Sequence, residues 1–421
     1  MNIYSIQKDY GGMIIMNKKI KAISALVAGF ISISALSGCS GNSSGAIASK
    51  DDEIIVWSYL MDNEVAEIDK IAQEWAKENN KSVKVIKDNS DFQTFLQAAN
   101  SSKGPDLIFG STHNNLGTFQ EAGLLEEVPD DFVNKDDYVN SNVWDAVSYD
   151  GKSYAVPLAM ETYALFYNKD KVSKVPDTIE ELVKEAKAYG SSGFQFSMNE
   201  YYYVAAFVQS YGGYVFGEKN NSLDVNDIGI ANDGAIKAYS FLQDLVRKDK
   251  LMPADITADI ANSNFKSGDC IFYIGGPWDV SGFKEAGVNF GIVPIPEINN
   301  TDAKTFLGVQ AAFVSSKSEK KDDAWALLKY LKDNSAEKLY DVGNRLPVLK
   351  SELEKDKIKN NEYSQGFIKQ AESAIPMPNV PEIECLWEPV KNMTRMYSGE
   401  DVKTVSKDME KAFKDGIEMS K

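Results

Sequence analysis

Histidine is almost absent from this chain: His113 is the only one in 421 residues. A single imidazole excludes clusters of histidine metal ligands and argues against Ser-His-Asp or Cys-His catalysis, where a histidine must be held beside a set partner. Cysteine is nearly as scarce, with Cys39, Cys270 and Cys385 alone. That number rules out the disulfide framework on which small secreted domains rely. Cys270 lies in an apolar run and Cys385 in a helix-like segment, so both are expected as buried thiols. Basic residues are outnumbered, 45 against 62 acidic ones, for a formal charge of −17. Such a surface repels phosphate backbones and disfavours nucleic acid as a partner. There is no Walker-type phosphate loop, and Gly275-Gly276-Pro277 carries no phosphate-binding pattern. No cofactor and no metal are expected. Paired carboxylates for glycoside hydrolysis form in space rather than in sequence, and no local motif supports them.

Long apolar runs are also missing, apart from one at the N-terminus. Lys18, Lys19 and Lys21 precede the apolar residues 23–33, and small residues lead to Leu36-Ser37-Gly38-Cys39. This is the anatomy of a secretory signal. Small residues give a signal peptidase access to the backbone, and the cysteine after them offers a thiol for lipid attachment. The segment resembles a bacterial lipoprotein precursor cleaved before Cys39; an ordinary signal peptide followed by a buried cysteine is the alternative. The basic-then-apolar pattern begins at Met16, so residues 1–15 read as an upstream extension from a misplaced start. Residues 1–38 carry four lysines and one aspartate, so their removal leaves a body of about −20. Residues 40–49, rich in Ser, Gly and Asn, read as a flexible tether. The rest is longer than one core usually supports, which points to two lobes, and none of its apolar stretches reaches the ~18 residues of a membrane helix.

Within the body, the strand-like residues 53–58, 83–86 and 106–109 alternate with helical patterns. The first helix shows Val65, Ile68, Ile71, Ala72 and Trp75 on one face, and the second starts at Asp91 as N-cap and runs to Asn100. Short links between such units predict a largely parallel sheet covered by helices. Ligands sit beyond the carboxyl ends of such strands, here residues 59–63 and 110–115. Farther on, helices are expected over 178–189, 201–211, 233–249, 258–266, 320–331, 335–342, 361–373, 383–396 and 402–417. Strands are expected at 270–274, 290–293 and 311–314.

Aromatic residues stand beside polar ones where elements end: Trp57-Ser58-Tyr59, Asn199-Glu200-Tyr201-Tyr202-Tyr203, Gly276-Pro277-Trp278-Asp279 and Leu386-Trp387-Glu388. Sugars present apolar C–H faces and hydroxyl edges, so their sites pair flat aromatic platforms with carboxylates and amides. Most Trp and Tyr side chains are nevertheless core residues, and the three successive tyrosines cannot all face one way on a helix.

From about residue 54 to 417 the chain resembles extracellular solute-binding proteins of carbohydrate ABC importers, most closely the maltose/maltodextrin-binding proteins. The resemblance is carried by Gly104-Pro105-Asp106-Leu107-Ile108-Phe109, Leu116-Gly117 through Ala122-Gly123-Leu124-Leu125, and Trp144-Asp145-Ala146-Val147. It continues in Val156-Pro157-Leu158-Ala159-Met160-Glu161, Phe166-Tyr167-Asn168-Lys169-Asp170 and Tyr211-Gly212-Gly213-Tyr214. Phe265-Lys266-Ser267-Gly268, Gly275-Gly276-Pro277-Trp278 and Met377-Pro378-Asn379-Val380-Pro381 complete it. It implies an α/β, two-lobed periplasmic-binding-protein-like fold with a hinge and an interlobe cleft. The lobes would comprise residues 51–158 with 312–357, and 163–307 with 360–421. It also implies a non-enzymatic, monomeric protein, lipid-anchored through Cys39 on the outer face of a single-membrane, Gram-positive-type envelope. Its ligand would be a malto-oligosaccharide, passed to ABC permease subunits with a cytoplasmic ATPase.

Carried over position by position, Glu161 and Glu200 match cleft carboxylates that bond sugar hydroxyls, and Tyr202 an aromatic platform. Trp278 and Trp387 match tryptophans stacking on successive glucose rings. Asp62, Asn63, Asn114, Asn115 and Lys391 fall at further contact positions. There are departures. Asn114-Asn115 replace an Asp-Arg pair, Gly110 stands where some members have tryptophan, and Glu388 and Lys391 replace a tyrosine and an arginine. The first loop, 59–64, aligns only with a gap. These changes leave room for a cyclic or branched glucan or another oligosaccharide, and a glycoside-active enzyme stands as the contrasting reading. His113 is expected to position its loop through hydrogen bonds rather than to touch sugar.

Overall fold

The computed structural model describes residues 52–420 apart from Asp91, Ser102 and Asn221. The expected signal segment, Cys39, the expected tether at 40–49 and the expected N-cap at Asp91 lie outside the described residues.

The first strand, Glu53–Ser58, alternates buried and half-buried side chains, and it pairs in parallel with Ser82–Lys87 on one side and Leu107–Thr112 on the other. The helix Asp62–Asn79 covers this sheet with the face expected for it, burying Val65, Ile68, Ile71, Ala72 and Trp75. It starts where Glu64 folds back so that its Oε2 accepts the Met61 N–H at 2.8 Å, satisfying a donor that the helix start leaves orphaned. Asn80 ends it in the left-handed conformation.

Beyond these strands the expectation of a largely parallel sheet fails. The nine-residue strand Phe306–Val314 inserts antiparallel between Leu107–Thr112 and Val156–Glu161, and Leu346–Pro347 closes that edge, again antiparallel. The physical reason is the route of the chain. Before returning, it builds a second sheet in the order Phe290–Val293, Ala164–Asn168, Phe272–Gly275, Phe194–Gln195, and so re-enters the first sheet in the opposite direction. The outward crossing is short. Glu161 ends one strand and Ala164 begins the next, with Thr162 and Tyr163 fully buried between them. Thr162 Oγ1 lies 2.7 Å from Thr305 Oγ1 and donates to the Phe306 carbonyl at 2.8 Å, which clips the outward and return crossings together.

Phe166, on one of the two inner strands of the second sheet, sits in a nest of rings from Phe265, Tyr273, Phe283, Phe290 and Phe367, at 5.3–6.2 Å between centroids. The helix Glu362–Ala371 packs on Phe290–Val293, and Val402–Ser420 packs against Asp233–Arg247.

Several expected elements differ. The helices expected at 320–331 and 335–342 are one helix, Lys321–Gly343, because buried Ser335 continues the stripe of Leu327, Leu328, Leu331 and Leu339 without interrupting its packing. The helix expected over 383–396 is two 3-10 turns, Pro381–Leu386 and Pro389–Asn392, and then the short helix Met393–Ser398. Pro389 supplies no N–H, so a continuous helical hydrogen-bond ladder is interrupted at this position. The strand expected at 311–314 begins at Phe306. Cys270 is fully buried as expected, but Cys385 is only half-buried, on the irregular 3-10 segment, and both thiols are free.

The segment 374–381 is pinned to the first sheet's surroundings. Asn379 Nδ2 donates to the carbonyls of Ala146 and Ser148 at 3.0 and 2.7 Å, and its own carbonyl accepts the Gly117 N–H at 2.8 Å. A methyl group at Gly117 would collide with the Asn379 carbonyl and lie 2.7 Å from Pro381 Cδ and 2.9 Å from Val380 Cα. Most of this wall is backbone and cannot turn aside. Gly117→Ala is therefore expected to lower the unfolding free energy by about 1–3 kcal/mol. Urea denaturation checks it; an unchanged midpoint refutes the close packing described here.

Candidate functional site

The strand Phe306–Val314 brings the candidate residues into register. Gly308 pairs with Glu161 on one side, and Gln310 with Thr112 on the other, next to the turn His113–Asn115. Glu161 ends its strand with its side chain 27% exposed. Its Oε2 accepts a hydrogen bond from Arg345 Nη1 at 2.9 Å. Arg345 Nε donates to Glu64 Oε1 at 2.8 Å and Nη2 to Glu64 Oε2 at 3.4 Å. Glu64 is fully buried, so this guanidinium supplies the charge that its carboxylate needs away from water. Burial works against the cation, but Glu161 and Glu64 outweigh it and raise the Arg345 pKa.

Tyr202 lies on the first turn of the helix Tyr201–Ser210. Of the three successive tyrosines, 201 and 203 are buried and 202 is half-buried. Its ring centroid is 4.8 Å from Tyr163, 6.2 Å from Phe306 and 6.4 Å from Trp278. Burial, with Glu161 nearby, pushes its phenol well above the ordinary value, and Glu200 adds to the effect. Glu200 is the N-cap residue of that helix, yet its carboxylate does not cap it. Oε1 instead accepts from Ser197 Oγ at 2.8 Å, and burial raises its pKa.

Trp278 sits on the 3-10 turn Pro277–Asp279. The turn is held by Asp279, whose Oδ2 accepts from Gly276 N–H at 3.1 Å and Tyr273 OH at 3.2 Å, and whose Oδ1 accepts from Asn262 Nδ2 at 2.8 Å. Burial lifts this carboxyl to about 6. Glu161, Glu200, Tyr202 and Trp278 therefore form one group of carboxylates and aromatic rings.

The other predicted residues make no hydrogen bond, ion pair or ring contact with that group among the described residues. Asn114 and Asn115 are half-buried on the turn after Leu107–Thr112, where Asn115 Nδ2 donates to Thr112 Oγ1 at 3.1 Å. Trp387 is half-buried directly after the 3-10 segment Pro381–Leu386, which packs beside that turn. Among the described residues no ring contact joins Trp387 to Tyr202 or Trp278. Asp62 is 89% exposed and paired with Lys87 at 2.6 Å, while Asn63 Nδ2 donates to the Val342 carbonyl at 2.7 Å, close to the loop carrying Arg345. Lys391 is exposed and ion-paired with Glu388. A cavity of about 580 Å³ between Val246, Arg247, Met252 and Tyr397 touches none of the predicted residues. No group of side chains suited to a metal ion occurs among the described residues.

Gly110 explains one departure. It adopts φ +86°, a backbone conformation that L side chains rarely take, and Leu60 packs where its side chain would be. No tryptophan can stand there. Arg345 was missed by sequence reasoning although a sign of it existed. The chain holds only three arginines, Arg247, Arg345 and Arg395, amid a large excess of lysine.

His113 is buried with both ring nitrogens engaged. Nδ1 accepts from the Val309 N–H at 3.1 Å, and Nε2–H donates to the Met377 carbonyl at 2.9 Å. It positions the turn and faces no solvent, as expected.

Two α/β lobes, built on two sheets joined by short crossings, with carboxylates and aromatic rings gathered near the crossing, define a two-lobed solute-binding fold. The chain belongs to the bacterial extracellular solute-binding proteins, whose family pattern matches residues 70–364. It is 31% identical over 392 residues to a galactooligosaccharide-binding protein of Bacillus subtilis, covering 89% of this chain and 91% of that protein. It is 30% identical over 334 residues to a maltooligosaccharide ABC transporter solute-binding lipoprotein of Streptococcus pneumoniae, covering 75% and 77% of the two chains. The crystal structure of a cyclo/maltodextrin-binding protein complexed with maltotetraose superposes with a TM-score of 0.81 at 30% identity, covering 87% of this chain and 97% of that one.

Burial lowers the His113 pKa from 6.5 to about 4, and its two backbone hydrogen bonds only partly oppose this. Between those values the unfolded chain binds a proton that the folded protein refuses. The stability that neutral His113 contributes is thus complete above pH 6.5 and is lost as pH falls towards 4, on the order of 3 kcal/mol in all. His113→Gln is expected to flatten the fall in melting temperature between pH 7 and 4.5 relative to wild type. Parallel pH–melting curves for the two proteins speak against a buried neutral imidazole.

Proposed function

We propose that this protein is the substrate-binding component of an ABC importer and captures malto-oligosaccharides between its lobes. The observation that carries the reading is the grouping of Tyr202 and Trp278 with Glu161 and Glu200 at the crossing between the sheets. Ring faces cover sugar C–H patches, and ionised carboxylates form strong hydrogen bonds with hydroxyl groups. In this reading the lobes comprise residues 51–158 with 312–357 and residues 163–307 with 360–421, and sugar bridges them in a closed form. Trp387, Asn114, Asn115, Asp62, Asn63 and Lys391 would supply further contacts to a longer chain of rings. The protein is a monomer tethered through lipidated Cys39 outside a Gram-positive-type membrane, and it hands sugar to permease subunits driven by a cytoplasmic ATPase. The Streptococcus pneumoniae relative, by name a lipoprotein of such a transporter, supports both the tether and the partner. Sugar leaves this protein chemically unchanged, so incubation with maltoheptaose is expected to yield no shorter product.

A second reading has its own support. The Bacillus subtilis relative binds, by its name, galactooligosaccharides, and the departures at Asn114-Asn115 and Lys391 alter the same contact positions. Calorimetric titration with maltotriose, a cyclodextrin and a β-galacto-oligosaccharide separates the two; heat from the β-linked sugar alone would reverse the assignment. Trp278→Ala and Trp387→Ala are each expected to weaken binding of the preferred sugar by roughly 1–3 kcal/mol, a value scaled from base–aromatic stacking. Wild-type affinity in both variants places the platforms elsewhere.

A further inference from the structure

Arg345 joins three parts of the chain that are far apart in sequence. It follows the helix Lys321–Gly343, holds Glu64 at the start of the helix Asp62–Asn79, and reaches Glu161 at the end of the strand Val156–Glu161. A guanidinium has five N–H donors in a rigid fork. Three of them are used here, two on Glu64 and one on Glu161. Two remain, on a side chain that is 19% exposed and adjoins a carboxylate that is 27% exposed. Glu161 gives Oε2 to Arg345, while its Oε1 accepts no hydrogen bond among the described residues and lies where a Cβ on Gly308 would stand 3.2 Å away. An acceptor oxygen and unused donors thus stand next to each other at the rim of the carboxylate–aromatic group. That pattern complements two neighbouring sugar hydroxyls, one donating and one accepting.

Arg345 is also held in place. Glu64 is wholly buried and would be an uncompensated charge if the guanidinium swung away. Lysine is a point donor and cannot span both carboxylates. We propose that Arg345 is a specificity-determining residue of the sugar site, presenting with Glu161 a fixed donor–acceptor pair to adjacent hydroxyls of the ligand. This rests on the reading of the site as a sugar cleft.

The test is calorimetric titration of wild type, Arg345→Lys, Glu161→Gln and the double variant, with thermal unfolding of each sugar-free protein. The titrant is maltotriose, or the β-galacto-oligosaccharide if only that sugar binds wild type. Arg345→Lys is expected to fold and to bind at least ten-fold more weakly. The double variant is expected to bind within three-fold of the weaker single one, because both residues serve one pair of hydroxyls. Glu64→Gln/Arg345→Lys removes the buried carboxylate's demand and takes the place of Arg345→Lys if that variant unfolds. Affinity within two-fold of wild type in the lysine variant, or losses that multiply in the double variant, would overturn the proposal. A wild type that gives no heat with either sugar instead overturns the ligand reading, and it does so before any variant is compared.

Discussion

The candidate site depends on the burial of one strand. Phe306–Val314 buries every residue except Gly308 and pairs with Leu107–Thr112, Val156–Glu161 and the short Ile375–Pro376. A strand enclosed in this way must satisfy all of its backbone groups, and its register is fixed because a one-residue slip would turn each side chain to the wrong face. From that register follow the position of Glu161 opposite Gly308, the bond from Val309 to His113, and the contact of the Phe306 ring with Tyr202. Glu161 and Tyr202 both lean on this strand, and so come together although they are distant in sequence.

Two buried polar groups show how the same scaffold treats charge differently. His113 lies between two backbone partners and no counter-charge, so the fold keeps it neutral and uses it as a hydrogen-bonded wedge. Glu64 has a backbone N–H and a guanidinium, so its carboxylate is neutralised by a partner. That partner couples a helix cap to the half-buried carboxylate Glu161. A residue that caps the start of a helix is thereby tied to a partly exposed one at the end of a strand. Asp279 plays the comparable part for the second lobe, holding with three hydrogen bonds the turn that carries Trp278.

The fold class was legible in the sequence because strand and helix periods are local, and the apolar face of Asp62–Asn79 could be named residue by residue. The direction of Phe306–Val314 was not, since antiparallel insertion depends on where the chain has been in the meantime. The continuity of Lys321–Gly343 was hidden by a polar residue, Ser335, that is small enough to bury. Of the site, Glu200, Tyr202 and Trp278 stood out as carboxylates and aromatics at element ends, whereas Glu161 was implied only by the family resemblance. Arg345 did not, because a lone arginine has no local pattern and its partners lie 281 and 184 residues away.

The amino-acid order alone determined the kinds of element, the supply of aromatic and acidic residues, and the shortage of histidine and cysteine that argues against histidine-based catalysis and metal clusters. Those are properties of composition and of short-range spacing, which the chain carries whether folded or not. Tertiary structure alone decided which carboxylate is compensated, that Tyr201 and Tyr203 are buried while Tyr202 is half-buried, and that Leu60 occupies the space over Gly110. Each of these is a matter of burial and contact between distant segments, and such contacts exist only once the sheets have formed.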